Sequence, residues 1–265
     1  AGIAFITVAT RHLLMNDRRG FLRTTLLALG GAALAGCDRI SQSETGSRIL
    51  ESAEAVNRRV QRFLSPSQAL AREYTEADIS AVFKPNGTLM PGTPLYQGLM
   101  KGGFADYRLE VDGLVGTPSR LSIDELKALG ARTQITRHDC VEGWSAIGKW
   151  TGTPLAAVLD HVKPKPEARY VVFHCFDDME EDTPYYESVD LDEARHPQTL
   201  LAYGLNGDAL PVANGAPLRL RVERQLGYKQ AKYIRRIELV ASFADIGDGN
   251  GGYWEDNGYE WYAGI

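Results

Sequence analysis

Hydrophobic and polar residues alternate along several separate stretches of the chain, with the period of two that is typical of β-strands. YRLEVDGLV, residues 107–115, alternates in this way and ends in the turn residues Asp112-Gly113. LLAYGLNGDALP, residues 200–211, predicts a hairpin about Asn206-Gly207. Further strands are predicted in RTQITRHDC (132–140), RYVVFHCF (169–176), APLRLRVE (216–223) and KYIRRIELV (232–240).

Short helical patterns lie between these strands. SIDELKALG begins with Ser122 and Glu125 at capping-box spacing and ends at Gly130. TPLAAVLDHV predicts a helix with Pro154 in its first turn, and SVDLDEAR predicts a further helical turn. Residues 47–64 have the spacing of an amphipathic helix. Short strands mixed with short helices, without regular βαβ alternation, predict an α+β fold.

Two stretches lack these patterns. Residues 65–104 are rich in Pro, Gly and polar residues, which favours a wrapping segment without regular structure. DDMEEDTP carries five acidic residues within positions 177–182 and predicts a solvated loop. The predicted organisation is an export signal over 1–37, a tether, helix and wrapping segment over 38–104, and a catalytic domain over 105–265.

The amino-terminal region has the features of an export signal. DRRGFLR, Asp17 to Arg23, precedes the apolar run TTLLALGGAALAG, and its paired arginines match a twin-arginine signal, with an ordinary secretion signal as the alternative. LAGC ends in Cys37 and is similar to a lipobox, with simple peptidase cleavage as the rival, and we expect Met15 to be the start. These features predict export by the twin-arginine translocon and a periplasmic protein anchored through a lipid on Cys37. Because this pathway moves folded proteins, a cofactor is expected.

Composition and charge exclude one broad class of function. The chain has 265 residues, of which 44% are hydrophobic and 24% charged, as in ordinary globular proteins. Its formal net charge is only −5. Nothing in this balance favours a nucleic-acid partner.

Cys140 lies among charged residues, an unusual setting for a buried cysteine. One hypothesis is a disulfide with Cys175. A second hypothesis is a zinc site built from His138, Cys140, His174 and Cys175. A third is a nucleophilic thiol with His138 as its base, since residues two apart on a strand share a face. The last is a metal-bound thiolate, whose sulfur stays deprotonated and protected.

Two long motifs bear on this choice. RHDCVEGWSAIGKWTGTPLAAVL resembles the cysteine segment of the sulfite-oxidase-fold molybdopterin oxidoreductases. HPQTLLAYGLNGDALPVANGAPLRLRVERQLGYKQAKYIRRIEL is similar to the second signature of that family, so the resemblance covers roughly residues 105–242. The nearest branch is the short bacterial periplasmic catalytic subunits related to the protein-methionine-sulfoxide reductase.

The resemblance implies a molybdenum-molybdopterin cofactor and assigns residues to it. Cys140 falls on the molybdenum ligand, with Arg137, His138 and Asp139 near the pocket. The expected pterin contacts are Cys175 in place of a family threonine, Asn214, Arg219, the phosphate-binding loop of Gln230, Ala231 and Lys232, and Asn86 in a stretch where the similarity fails.

The resemblance also implies two-electron oxygen-atom transfer. The acidic stretch 177–182 would repel the sulfite dianion, which favours reduction of S-oxides or N-oxides. A sulfite dehydrogenase or oxidase is the enzyme alternative, and a cofactor-free periplasmic binding lipoprotein is the alternative of another class. No C-x-x-C-H haem motif is present, so a separate electron carrier is expected, such as a membrane haem protein or a cytochrome. We also expect a monomer without the carboxy-terminal dimerisation domain of larger sulfite oxidases.

Overall fold

Strands dominate the structure, a computed structural model that describes residues 60, 69–180 and 183–265. The predicted twin-arginine signal, the lipobox Cys37 and, apart from Val60, the predicted helix over 47–64 lie outside these residues. Ser65–Ile265 form one compact unit, so the segment from residue 69 to residue 104 packs with the remainder of the described chain. Within the described ranges, no helix is long and apolar enough to cross a membrane.

The strands form one mixed sheet and one antiparallel sheet. In chain order they are β1 (Leu109–Gly113), β2 (Ser119–Leu121), β3 (Arg132–Cys140), β4 (Trp144–Pro154), β5 (Tyr170–Glu180), β6 (Thr183–Asp190), β7 (Leu200–Leu205), β8 (Asp208–Ala209), β9 (Arg219–Arg221) and β10 (Ile234–Val240). The first sheet has the order β2-β1-β10-β5-β6, and the second has β3-β4-β7-β8 with β9 also paired to β7. β1 and β10 run parallel, whereas β3 and β4, like β5 and β6, are antiparallel neighbours.

Five short α-helices are described: α1 (Pro94–Lys101), α2 (Ile123–Ala128), α3 (Leu155–Val162), α4 (Leu191–Ala194) and α5 (Tyr253–Asp256). The capping box of α2 is formed as predicted. The Glu125 N–H donates to the Ser122 Oγ at 3.2 Å, and the Ser122 N–H donates to the Glu125 carboxylate at 2.8 Å. The hairpin about Asn206-Gly207 is also present, with both residues at positive φ, 55° and 94°.

Three predicted features are wrong or incomplete. Helix α1 lies in the segment expected to lack regular structure, because Pro94 fits the first turn of a helix and Gly102 follows its end. Residues 177–180 of the acidic stretch do not form a loop, because β5 continues to Glu180 and pairs with β6. Strand β4 was not predicted, although it pairs with β3 along all nine residues of that strand.

Two hydrophobic clusters stabilise the unit. The larger one combines β1, β5 and β10 with the apolar face of α3. The smaller one surrounds Trp150 of β4 and includes Phe83 and Ala216. The guanidinium groups of Arg219 and Arg221 lie 5.3 and 4.3 Å from the centre of the Trp150 ring. This second cluster therefore carries buried cations.

Candidate active site

Cys140 is the last residue of β3, and the alternation of that strand determines its neighbours. The side chains of His138 and Cys140 point inward and are buried, while Arg137 is exposed. On the outer face, the Arg137 Nε donates to the Asp139 carboxylate at 3.0 Å. The prediction that His138 and Cys140 share a face is confirmed. The pocket positions expected for Arg137 and Asp139 are not observed, because the period of two turns both outward.

The Cys140 thiol is free, and so is that of Cys175, which excludes the disulfide hypothesis for these residues. Burial raises the pKa of the Cys140 thiol, and the neighbouring Glu142 carboxylate raises it further. A thiol with a raised pKa is a weak nucleophile at neutral pH. A bound metal ion would replace the thiol proton, so the environment suits a metal ligand better than a free nucleophile.

Cys140 opens into a pocket whose walls come from five separate parts of the chain. They are the wrapping segment, the turn after β3, the β5–β6 hairpin, the loop between β9 and β10, and the carboxy-terminal segment. The residues that line it include Asn86, Thr88, Cys140, Asp177, Tyr228 and Lys232. Convergence of distant segments around one cysteine is typical of a binding site.

His138 is held behind the pocket as a neutral imidazole. The Arg221 Nη1 lies 3.1 Å from the His138 Nδ1, and Arg221 is itself paired with Glu223 at 2.6 Å. Since a guanidinium has no acceptor, Nδ1 accepts and Nε2 carries the hydrogen. Burial lowers the pKa of His138 well below its ordinary value, and the Arg219 and Arg221 charges add to that effect. Gly227 lies directly over this ring, because a Cβ there would be 2.6 Å from Nε2.

Arg219 supplies a buried positive charge beside the pocket. Its Nη1 donates to the Asn214 carbonyl at 3.1 Å, and no carboxylate of the described residues lies within ion-pair distance of it. Burial and the nearby Arg221 lower the pKa of Arg219 to about 9, so the group remains charged at neutral pH. Gly215 lies against both Arg219 and Lys232, since a Cβ at Gly215 would be 3.2 Å from the Arg219 Cβ and 3.1 Å from the Lys232 Cβ.

Lys232 connects the wrapping segment to the pocket. Its ammonium donates to the carbonyls of Asn86 at 2.6 Å, of Ala213 at 3.1 Å and of Thr88. An ammonium has three hydrogens, so these carbonyls occupy all of its donors. Burial lowers the pKa of Lys232 to about 7, and a bound anion would restore its full charge. Lys232 contributes charge to the pocket without an open hydrogen-bond donor.

The carboxy-terminal segment forms an aromatic wall. The rings of Trp254 and Tyr259 lie 5.2 Å apart, and Tyr228 contacts Tyr259 edge-on at 5.1 Å. A buried ion cluster fastens this wall, because the Lys229 ammonium contacts the carboxylates of both Glu187, at 2.5 Å, and Glu255. Burial raises the pKa of Glu187 well above its ordinary value.

Asp177 is the buried carboxyl of the pocket. It lies near the end of β5, is 4% exposed, and its Oδ1 has no hydrogen-bond partner. Burial raises its pKa from 3.8 to about 6, while the nearby charge of Lys232 and the Thr88 side chain lower it in part. The sequence placed this residue in a solvated loop, and the structure buries it.

The structure brings five of the eight predicted site residues to the pocket lining: Asn86, Cys140, Gln230, Ala231 and Lys232. Asn214 and Arg219 are not part of this lining, and Gly215 lies between Arg219 and the lining residue Lys232. Cys175 is 1% exposed within the larger hydrophobic cluster, so the pocket geometry does not support its predicted cofactor contact.

Sequence reasoning missed the pocket role of several lining residues. The aromatic density of GGYWEDNGYEWY was the available signal for the carboxy-terminal wall. For Asp177 the density of acids in its stretch wrongly indicated exposure to solvent.

Unpartnered polar atoms surround the pocket. Among the described residues, buried side-chain atoms without a hydrogen-bond partner include His138 Nε2, Asn214 Nδ2, Arg219 Nε and Nη2, Gln230 Oε1 and Asn86 Oδ1. Each buried donor or acceptor left unpaired costs about 1–3 kcal/mol, so such a concentration is expected where a polar ligand binds. Donors, a guanidinium and a thiol together suit an anionic, heteroatom-rich cofactor that carries a soft metal site.

Comparisons with known proteins agree with this chemistry. A family model described as "Oxidoreductase molybdopterin binding domain" matches residues 98–245, more than half of the chain. A protein of Azospira oryzae, described as the putative protein-methionine-sulfoxide reductase subunit YedZ1, is 38% identical over 257 residues, which cover 96% of this chain and 90% of that protein.

Two further relatives are matched over a shorter part. The protein-methionine-sulfoxide reductase catalytic subunits MsrP of Xanthomonas campestris and Xanthomonas axonopodis are 43% and 42% identical over 144 residues, which cover 51% of this chain and 45% of each relative. A solved structure, the sulfane dehydrogenase SoxCD from Paracoccus pantotrophus, has a TM-score of 0.47 at 22% identity over 52% of this chain and 39% of that one. The last likeness is too low to bear on function.

Proposed function

Because the chain belongs to the family of the oxidoreductase molybdopterin binding domain, we propose that the Cys140 pocket is where it reduces neutral S-oxides, with methionine sulfoxide as the leading substrate. Family membership makes the chain a molybdopterin-dependent oxidoreductase with the α+β sulfite oxidase fold. The observation that carries the substrate proposal is the lining of the pocket. It combines a thiol and a buried carboxyl with an aromatic wall, and it exposes no free cationic donor.

The residues of the chain divide the work of holding the cofactor. Cys140 provides the thiolate for molybdenum, and the Nε2–H of His138 and the unpaired nitrogens of Arg219 are donors for an anionic pterin. Asn214 adds an unpartnered amide nitrogen, and Gln230 adds an unpartnered amide oxygen. When bound, molybdenum-molybdopterin supplies two-electron oxygen-atom exchange. Lys232 holds Asn86 and Thr88 against this site and contributes its charge.

The charges at the pocket favour a neutral substrate over sulfite. A dianion would need converging cationic donors, whereas those of Lys232 are occupied and Arg219 lies behind the lining. The carboxyl groups of Asp177 and Glu142 both line the pocket. Aromatic faces contact sulfur and methyl groups favourably, so Trp254 and Tyr259 suit a thioether product. The names of the Azospira and Xanthomonas relatives support the same substrate class.

Location and partners complete the proposal. The arginine pair Arg18-Arg19 and the sequence LAGC support export by the twin-arginine translocon and a lipid anchor on Cys37. The absence of a haem-attachment motif supports a separate electron carrier, of the membrane-haem-protein or cytochrome class. The catalytic unit is proposed to act as a monomer.

The test compares substrates on cofactor-loaded protein. Methionine sulfoxide, trimethylamine N-oxide and sulfite are each supplied, the first two with a reduced viologen dye and the third with an oxidised acceptor. We expect the highest kcat/KM with methionine sulfoxide and no sulfite-dependent reduction of the acceptor. Sulfite-dependent turnover with no S-oxide reduction would instead support the sulfite dehydrogenase alternative.

A further inference from the structure

We propose that Asp177 is the proton donor of the pocket and delivers the first of the two protons that S-oxide reduction consumes. This inference rests on the proposed function. It adds a catalytic residue outside the group that holds the cofactor. Its basis is the position of a buried carboxyl with an unpartnered oxygen, in a pocket where the other acidic hydrogens are committed elsewhere.

Three other residues of the described lining, Tyr185, Tyr228 and Lys232, donate their acidic hydrogens to backbone carbonyls. The Tyr185 hydroxyl donates to the carbonyl of Tyr228 at 2.5 Å, and the Tyr228 hydroxyl donates to that of Glu260 at 2.6 Å. Lys232 gives all three ammonium hydrogens to carbonyls. A proton taken from any of these three side chains would break a hydrogen bond that holds part of the pocket lining in place.

The remaining candidates are unsuitable for other reasons. Glu142 is exposed, and its carboxylate already accepts from the Trp144 Nε1 at 2.9 Å and lies 3.6 Å from the Lys84 ammonium. Tyr259 is 40% exposed, whereas Asp177 is only 4% exposed. Asp177 is left as the acid that can release a proton into the pocket.

The surroundings of Asp177 let it cycle between both protonation states. Burial raises its pKa to about 6, so about a tenth of the Asp177 carboxyl groups carry a proton at pH 7, and the Lys232 charge stabilises the carboxylate that remains after transfer. The titratable groups that face it are Lys232, Asp178, Tyr96, Tyr185, Tyr233 and Cys175. Lys232 is the cation in this set, and an anionic cofactor beside it would raise the pKa of Asp177 further.

The step balances because one sulfoxide, two electrons and two protons give one thioether and one water molecule. The sulfur–oxygen bond breaks, and the sulfur is reduced by two electrons that a reduced carrier of the haem-protein class supplies. Two O–H bonds form, one with the proton of Asp177 and the other with a proton from solvent water. The Asp177 carboxylate then regains a proton from solvent through the pocket mouth.

The experiment compares Asp177→Asn with Asp178→Asn, a neighbour that is exposed on the same strand. Molybdenum and pterin contents are measured first, and then kcat and KM for methionine sulfoxide against pH. With cofactor retained, we expect Asp177→Asn to lower kcat by about 100-fold or more, the usual contribution of a general acid. In the wild type kcat should fall as pH rises through the pKa of the donor. Asp178→Asn should keep kcat and KM within about twofold, because its carboxyl is exposed and outside the pocket lining. Loss of its charge should only lower slightly the pH at which kcat falls, since the Asp178 charge raises the pKa of Asp177.

A spectroscopic readout keeps the proposal testable if the variant loads cofactor poorly. Infrared difference spectra of the wild type between about pH 4 and about pH 8 should show a buried protonated carboxyl. That band should persist in Asp178→Asn and be lost in Asp177→Asn. A loaded Asp177→Asn with unchanged kcat and pH profile, or a wild type without the band, would overturn the proton-donor role while S-oxide reduction stands. Loaded wild type without any S-oxide turnover would overturn the proposed function itself, and this inference with it.

Discussion

Replacing Asp177 by Asn should make the protein more stable at neutral pH, by an amount that the structure lets one estimate. The folded protein raises the pKa of this carboxyl from 3.8 to about 6 by burial. Each pKa unit corresponds to about 1.36 kcal/mol, so the ionised group destabilises the fold by about 3 kcal/mol relative to its protonated form. An uncharged amide of the same shape removes that penalty.

The sign and the pH window follow from linkage. Between about pH 4 and about pH 6 the folded state binds a proton that the unfolded state has released, so wild-type stability falls as pH rises. By about pH 8 both states are deprotonated, and the loss is complete. The free energy of unfolding of Asp177→Asn, relative to that of the wild type, should therefore be about 3 kcal/mol larger at about pH 8 than at about pH 4.

The assay is urea unfolding, followed by tryptophan fluorescence, of cofactor-free wild type, Asp177→Asn and Asp178→Asn at several pH values. Asp178→Asn controls for loss of one negative charge from the same strand. A wild-type advantage that increases with pH would refute the reasoning, since it would mean that Lys232 stabilises the carboxylate more than burial destabilises it.

Three further outcomes are expected. Gly227→Ala should lower the free energy of unfolding, measured in urea, by about 1–3 kcal/mol, because its Cβ would meet the buried His138 ring at 2.6 Å. Gly92→Ala should be nearly neutral in the same assay, because a Cβ there would have no atom within 4 Å. Lys229→Met should lower the free energy of unfolding by about 3–5 kcal/mol in the same assay, since it leaves two buried carboxylates unpaired. Trp254→Ala should raise KM for methyl sulfoxides up to about tenfold with little change in kcat, because it removes an aromatic–sulfur contact worth about 0.3–1.5 kcal/mol. A KM that stays at the wild-type value would remove Trp254 from substrate recognition.

Local patterns predicted the parts of the site that a single element builds. The period of two in RTQITRHDC places His138 and Cys140 on one face of β3, and the structure has them there. Ser122 and Glu125 predicted the start of α2 in the same local way. Such features depend on residues within one turn or strand, where short-range physical chemistry decides the conformation.

Long-range packing explains what the sequence could not predict. Asp177 belongs to an acidic stretch, and it is buried in a pocket that residues distant in sequence, such as Thr88 and Lys232, also line. Two of the three donors of Lys232 are occupied by carbonyls 144 and 146 residues away in sequence. The sequence motif marked that lysine as a phosphate contact, and the fold uses its hydrogens to hold a chain segment.

The most direct test of the account is the sulfur coordination of molybdenum, measured by elemental analysis and X-ray absorption on wild type, Cys140→Ser and Cys175→Ser. Both thiols are buried and free, so the second variant is a matched control. We expect near-stoichiometric molybdenum, with the same number of sulfur neighbours, in the wild type and in Cys175→Ser. Cys140→Ser should have one sulfur neighbour fewer, or no bound metal. An unchanged sulfur shell in Cys140→Ser, or loss of a sulfur in Cys175→Ser alone, would contradict the assignment of Cys140 as the metal ligand.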